Sequence, residues 1–168
     1  MKKLVTLLLT AALAITAATT AFADHQIGPD ANGNPNPSSK QIDVTYKVDP
    51  SYTVKIPANI TLNTTTPSKA KVEATGVTIP KNQKLKVTLN SDKNFCVKTS
   101  EGAELKYNVT KGNNSTTETA VDNTNNTVLE VKSGSGSTEL TFTLKENVVY
   151  SGTYTDTVTF TVSLVTNP

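Results

Sequence analysis

The side chains able to do chemistry are few in this 168-residue chain, and they lie far apart. There is one histidine, His25, and one cysteine, Cys96. A Ser-His-Asp arrangement needs an ordered imidazole held against an ordered nucleophile. His25 falls in the stretch "DHQIGPDANGNPNPSSK" (24–40), which offers almost nothing to bury and so nothing to hold the ring. A zinc site wants three or four Cys or His ligands, and one of each does not suffice. The run Asp30-Ala31-Asn32-Gly33-Asn34 opens like a calcium loop. It then places Pro35 where the sixth position needs glycine and Gln41 where the twelfth needs a bidentate glutamate. No metal or cofactor is expected, and the chain is not expected to be an enzyme.

Carboxylate pairs for glycoside hydrolysis leave no sequence signature, because the pair is spatial. The acids here are scattered, mostly at turns or on polar strand positions, so a hydrolase is the least supported function. Asp156 differs from the rest. In "YTDTVTF" it occupies the same alternate positions as Tyr154, Val158 and Phe160, and a strand directs alternate side chains to one face. An inward carboxylate without a partner is costly. It could sit at the rim of the core, bond to a loop backbone, or form an amide cross-link with a lysine. Lys47 is the first-strand candidate for such a link, but it alternates onto the face opposite Val44 and Tyr46. Cys96, in "NFCVK", reads either as a packing residue or as one half of an intermolecular disulfide. Carbohydrate platforms are usually exposed aromatics. The chain has no tryptophan, and Tyr46, Tyr52, Tyr107 and Tyr154 fall on apolar strand faces. Tyr150, in the last loop, is the candidate ligand contact.

The elements that position these residues read as strands throughout. Period-2 alternation runs through "QIDVTYKV" (Ile42, Val44, Tyr46, Val48), "SYTVKI", "KAKVEATGVTI", "KLKVTLN", "FCVKT", "ELKYNVT", "TVLEV", "TELTFTL" and "SGTYTDTVTFTVSL", with a short "ITL" after Pro57. About nine strands separated by turn residues, with no helical period, predict an all-β antiparallel β-sandwich of the immunoglobulin-like kind. "KSGSGST" is expected to be a flexible hairpin loop, and 111–127 a long polar surface loop. The final segment carries a row of hydroxyls on one face, Thr153 to Ser163 at odd positions. An ice-binding array would need several flat neighbouring strands with matching rows, so the row reads as the wet face of a strand.

The first residues set the expected compartment. "MKK", an apolar run over 4–18 and "AFA" at 21–23 have the form of a secretory signal peptide cleaved before Asp24. The expected organisation is therefore a signal peptide (1–23), a flexible spacer (24–40) and a β-sandwich (41–168). Removing 23 of 168 residues leaves 145, about one domain. Lys2 and Lys3 leave with the signal, so sixteen basic residues become fourteen against fourteen acids. A balanced charge with no arginine argues against nucleic acid and against phosphate clamps. No apolar or sorting-type tail follows the last strand, so neither a membrane nor a covalent wall anchor is expected after cleavage.

"YTDTVTFTV" resembles the second signature of the WxL-type wall-binding domains of low-GC Gram-positive bacteria: a Tyr, three residues, an aliphatic, Thr, then Trp-x-Leu. Tyr154, Val158 and Thr159 match, while Phe160 stands at the Trp and Val162 at the Leu. The first Trp-x-Leu signature is absent. The resemblance covers about the last dozen residues. More broadly, "SYTVKIPANITL" and the final segment are similar in style to small secreted β-sandwich proteins of Firmicutes. The resemblance implies an extracellular or cell-wall location, a β-sandwich, and non-covalent attachment to peptidoglycan. The expected function is a secreted, non-catalytic, structural or adhesin-like surface module, its partner peptidoglycan, another surface polymer or a protein. The alternative is a pilus- or matrix-type subunit assembling by β-strand addition, with the spacer as donor arm. Pro29, Pro35 and Pro37 count against that arm. Monomer and assembly both stay open.

Overall fold

The computed structural model describes residues 28–36, 39, 41–112 and 118–167. The expected signal peptide and His25 lie outside them. The described residues fall into two compact units, one ending at Asp49 and one beginning at Pro50.

The first unit contains a small hairpin inside the span read as a spacer. Strands β1 (Gly28–Pro29) and β2 (Pro35–Asn36) pair antiparallel. Asp30 builds the turn between them. Its Oδ1 accepts from the backbone N–H of Asn32 (2.8 Å) and Asn34 (2.9 Å), and its own N–H donates to the Asn34 carbonyl (2.7 Å). This is an Asx-type turn, which accounts for the calcium-loop look of the sequence. Those backbone bonds hold the Asp30 carboxyl below its usual range.

Residues 41–50 form no strand, contrary to the expectation from their alternation. Ile42, Val44, Tyr46 and Val48 are 78%, 89%, 92% and 56% exposed, so Tyr46 is not the core residue its pattern predicts. Alternation says which face a strand would bury. It does not supply the neighbouring strand that makes it one. Lys47 pairs with Asp49 at 2.9 Å.

The second unit is all-β, built from antiparallel sheets in a sandwich-like arrangement. Its first strand begins at Ser51 rather than at Gln41. One sheet holds β3 (Ser51–Lys55), β4 (Ser68–Thr78), β10 (Gly134–Leu144), β7 (Glu104–Lys111) and β6 (Cys96–Lys98) in that order, with β8 (Thr119–Val121) also on β7. The other is β11 (Val158–Thr166), β5 (Gln83–Ser91), β9 (Thr127–Val131). Alternation in the sequence becomes alternation in burial. Val72 and Ala74 of β4, Leu85, Val87 and Leu89 of β5, and Leu140 of β10 have no exposed surface, while their neighbours face out. Tyr107 packs edge-to-face on Phe95, with ring centroids 5.7 Å apart, and lies tilted against Phe142. Gly76 has φ +62° where the β3–β4 and β4–β10 registers both shift, a bulge that only glycine enters without strain.

Four local expectations change. Of "KSGSGST" only Lys132 and Ser133 lie outside a strand, and from Gly134 it is the start of β10, paired to β4. The polar stretch 111–127 contains β8. "ITL" at 60–62 makes no strand, although Ile60 and Leu62 pack against the core. The last strand starts at Val158, not at Ser151. Only the later part of the hydroxyl row therefore lies on a strand. There it pairs Thr159 with Asn90, Thr161 with Thr88 and Ser163 with Lys86. A mixed set of partners is a wet sheet face, not a repeating threonine array.

The Asp156 node and a cleft beside the last strand

Asp156 does point inward, as its parity predicts, and it is fully engaged. Oδ2 accepts from the hydroxyls of Ser91 (2.7 Å) and Tyr107 (2.6 Å). Oδ1 accepts from the backbone N–H of Thr157 (2.7 Å) and Lys93 (3.2 Å). Both the core-rim and the loop-backbone readings thus hold together. With four donors satisfied, the carboxylate needs no lysine cross-link to explain its place.

The four donors come from three places in the chain, so Asp156 ties the approach to β11 to the β5–β6 turn and to β7. Ser91 continues the chain of bonds. Its Oγ accepts from the Phe95 N–H (2.6 Å), and its backbone exchanges two bonds with the Asn123 amide, at 2.9 and 3.0 Å. Within this turn Asn94 (φ 52°) and Phe95 (φ 59°) both adopt the left-handed conformation. For a bulky residue such as Phe95 that region is strained, and the Ser91–Asp156 bonds help to hold it. Burial first, and then the bond to Asp156, push the Tyr107 hydroxyl far above its ordinary value of 10.

Asp156 also interrupts the ladder. Thr155 exchanges backbone bonds of 3.0 Å with Lys98 of β6, whereas from Val158 onward the chain pairs with β5. Asp92 N–H donates to the Thr157 carbonyl, and Asn167 N–H to the Asn82 carbonyl. In an antiparallel pair the bonded positions alternate. The odd residues of β11 therefore bond to β5, while Val158, Phe160, Val162 and Leu164 turn their N–H and C=O groups to the other edge. Among the described residues no strand pairs with that edge.

Beside it lies a cleft of about 650 Å³. One wall is the segment 57–64, including Ile60 and Leu62; the other is 154–158 with Phe160. Leu105, Tyr107, Phe142 and Leu144 line it from the larger sheet, and Val148 stands at its margin, 46% exposed. Asp156 is the sole acid among its lining residues.

The residues singled out by the sequence separate into two sets. Tyr154, Val158, Phe160 and Asp156 meet at the cleft. Val162 packs further along the core and Thr159 faces out. Tyr150 is 66% exposed, and its carbonyl accepts from the Tyr154 hydroxyl at 2.9 Å. Cys96 is buried, and burial, aided by the nearby Glu104, pushes its thiol above the usual range. Ser91 carries no signal in the sequence, and there Tyr107 reads only as a core-face residue and 60–62 only as a short strand. Their link to Asp156 and to the cleft spans sheets and leaves no local signature. Among the described residues no three His, Cys, Asp or Glu side chains gather as a metal site requires. No protein-family model and no curated protein matches the chain.

Proposed function

We propose that the chain is a secreted, non-catalytic module of the bacterial cell surface or wall, structural or adhesin-like, that binds through the cleft beside β11. One observation carries this reading. Three residues of the WxL-like segment, Tyr154, Val158 and Phe160, converge with apolar residues of the opposite sheet on one concavity. Its single acid is meanwhile spent on four structural hydrogen bonds. Glycoside hydrolysis needs two carboxylates facing each other across the sugar, whereas a groove lined by both apolar and hydroxyl side chains, with an open strand edge beside it, suits retention of an extended chain.

Co-sedimentation with purified Gram-positive cell walls tests the wall partner. The chain is expected in the pellet, and recovery wholly in the supernatant overturns it. Val148→Asp places a charge at the cleft margin on an exposed residue, so the fold should survive. It is expected to weaken wall binding by about tenfold or more. Unchanged binding would move the contact away from the cleft.

A further inference from the structure

Among the described residues, two features without a partner strand match each other. The first is the segment 41–48. It alternates Ile42, Val44, Tyr46 and Val48 with Gln41, Asp43, Thr45 and Lys47, and all four apolar members are exposed. A contiguous apolar face of this kind on a soluble chain marks an interaction site more often than an ornament. No proline falls between Pro37 and Pro50, so every N–H in the segment can enter a ladder. The spacer upstream, with its three prolines, lacks that property. The second feature is the outward edge of β11, with the main-chain groups of Val158, Phe160, Val162 and Leu164 unpaired by any described strand and the cleft beside its first residues, Val158 and Phe160.

We infer that residues 41–48 of one copy add as a strand to the β11 edge of a second copy, with the Ile42, Val44, Tyr46 and Val48 face turned to the core side of β11, where the cleft borders Val158 and Phe160. This rests on the cleft being a binding site, as proposed above, and names its occupant. Eight donor residues match the nine of β11. Period-2 alternation puts four apolar anchors on the core side and the Asp43 and Lys47 charges on the solvent side. Main-chain bonds to the open edge supply affinity, and the alternation of apolar and polar side chains supplies register. The donor lies almost directly before β3, separated by Asp49 and Pro50, and it keeps the even-numbered phase of Tyr52 and Val54 across that link. Each copy carries one donor and one acceptor, so the contact is head-to-tail and either closes into a ring or extends.

The test uses the processed full chain, the V44D/Y46D double variant and a synthetic peptide of residues 41–48. Both substituted residues are exposed, so the variant should fold. In sedimentation velocity the wild type should form oligomers that grow with concentration, and the double variant should be weakened by about 100-fold or more. The peptide should bind the double variant and slow amide exchange at Val158, Phe160, Val162 and Leu164. Residues 159, 161 and 163, already bonded to β5, should barely change. A wild type that stays monomeric, a double variant that assembles as well as the wild type, or a peptide that leaves those four amides unchanged each overturns the inference. Wall co-sedimentation of the double variant separates this inference from the surface role. A monomeric variant that still pellets shows wall attachment independent of assembly. An assembling wild type that stays in the supernatant sinks wall binding alone.

Discussion

Replacing Asp156 with alanine would leave the Ser91 and Tyr107 hydroxyls and two backbone N–H groups without their acceptor. Bonds to an ionised acceptor are the stronger kind, and stranded buried donors add a desolvation cost. Asp156 is only half-buried, so water recovers part of it. The expected loss is about 2–4 kcal/mol in urea denaturation, against about 1–2 kcal/mol for Tyr107→Phe, which removes one donor and leaves the rest in place. Tyr107 also predicts a pH dependence. Its folded state holds the phenolic proton to higher pH than the unfolded chain does. The resulting stability is complete below pH 10 and is lost as pH rises through and above that value. Urea midpoints across roughly pH 9 to 12 should fall more steeply for the wild type than for Tyr107→Phe; parallel curves would remove Tyr107 from the account. Cys96 should behave as an inert core thiol. A disulfide-exchange reagent at neutral pH is expected to label it only after unfolding, and non-reducing electrophoresis to show no linked dimer. Asp156 was legible in the sequence through parity alone. Its partners were not, because Ser91 and Tyr107 lie 65 and 49 residues away and nothing local announces the contact.

Among the strands, the clearest test is Gly136. A Cβ there would meet the Val131 methyl at 2.6 Å. Val131 is buried and β-branched, so it has little room to yield. Gly136→Ala should cost about 1–3 kcal/mol by overpacking, whereas Ser135→Ala, at an exposed neighbour, should stay within about 0.5 kcal/mol; equal urea midpoints would contradict the close approach of β10 to β9. The same residue explains a misreading. Glycine and serine carry no β signal, so "SGSG" looks like a loop, although here the missing side chain is what lets the strand pass. Strands β4, β5, β7, β9 and β10 were readable because each has one buried and one wet face, and alternation encodes that difference directly. Two apolar alternations misled: 41–48 has no described partner strand, and "ITL" packs on the core without joining a ladder. The last strand starts later than its alternation implies because Thr155 bonds to β6 and the Asp156 carboxylate takes the Thr157 N–H. The alternation continues through that break, but the ladder with β5 does not.

At the scale of the whole molecule, the buried core among the described residues runs from Ala70 to Phe142, and the partly buried residues packed on it begin at Tyr52. The sandwich should therefore not depend on the chain that precedes it. A version beginning at Pro50 is expected to unfold in urea with the same slope as the full chain, and at low concentration with the same stability to within about 0.5 kcal/mol. A larger loss would mean that the first unit contributes to the core. The two versions should part as concentration rises. If residues 41–48 dock on a second copy only when that copy is folded, assembly stabilises the native state by mass action, about 2.7 kcal/mol once the free partner reaches 100 times its dissociation constant. The full chain should then gain stability with concentration while the shortened chain, keeping its acceptor edge but lacking the donor, should not. Restoring the missing strand as a free peptide should return the gain to the shortened chain, because the edge of β11 requires a strand beside it and not the covalent link to one.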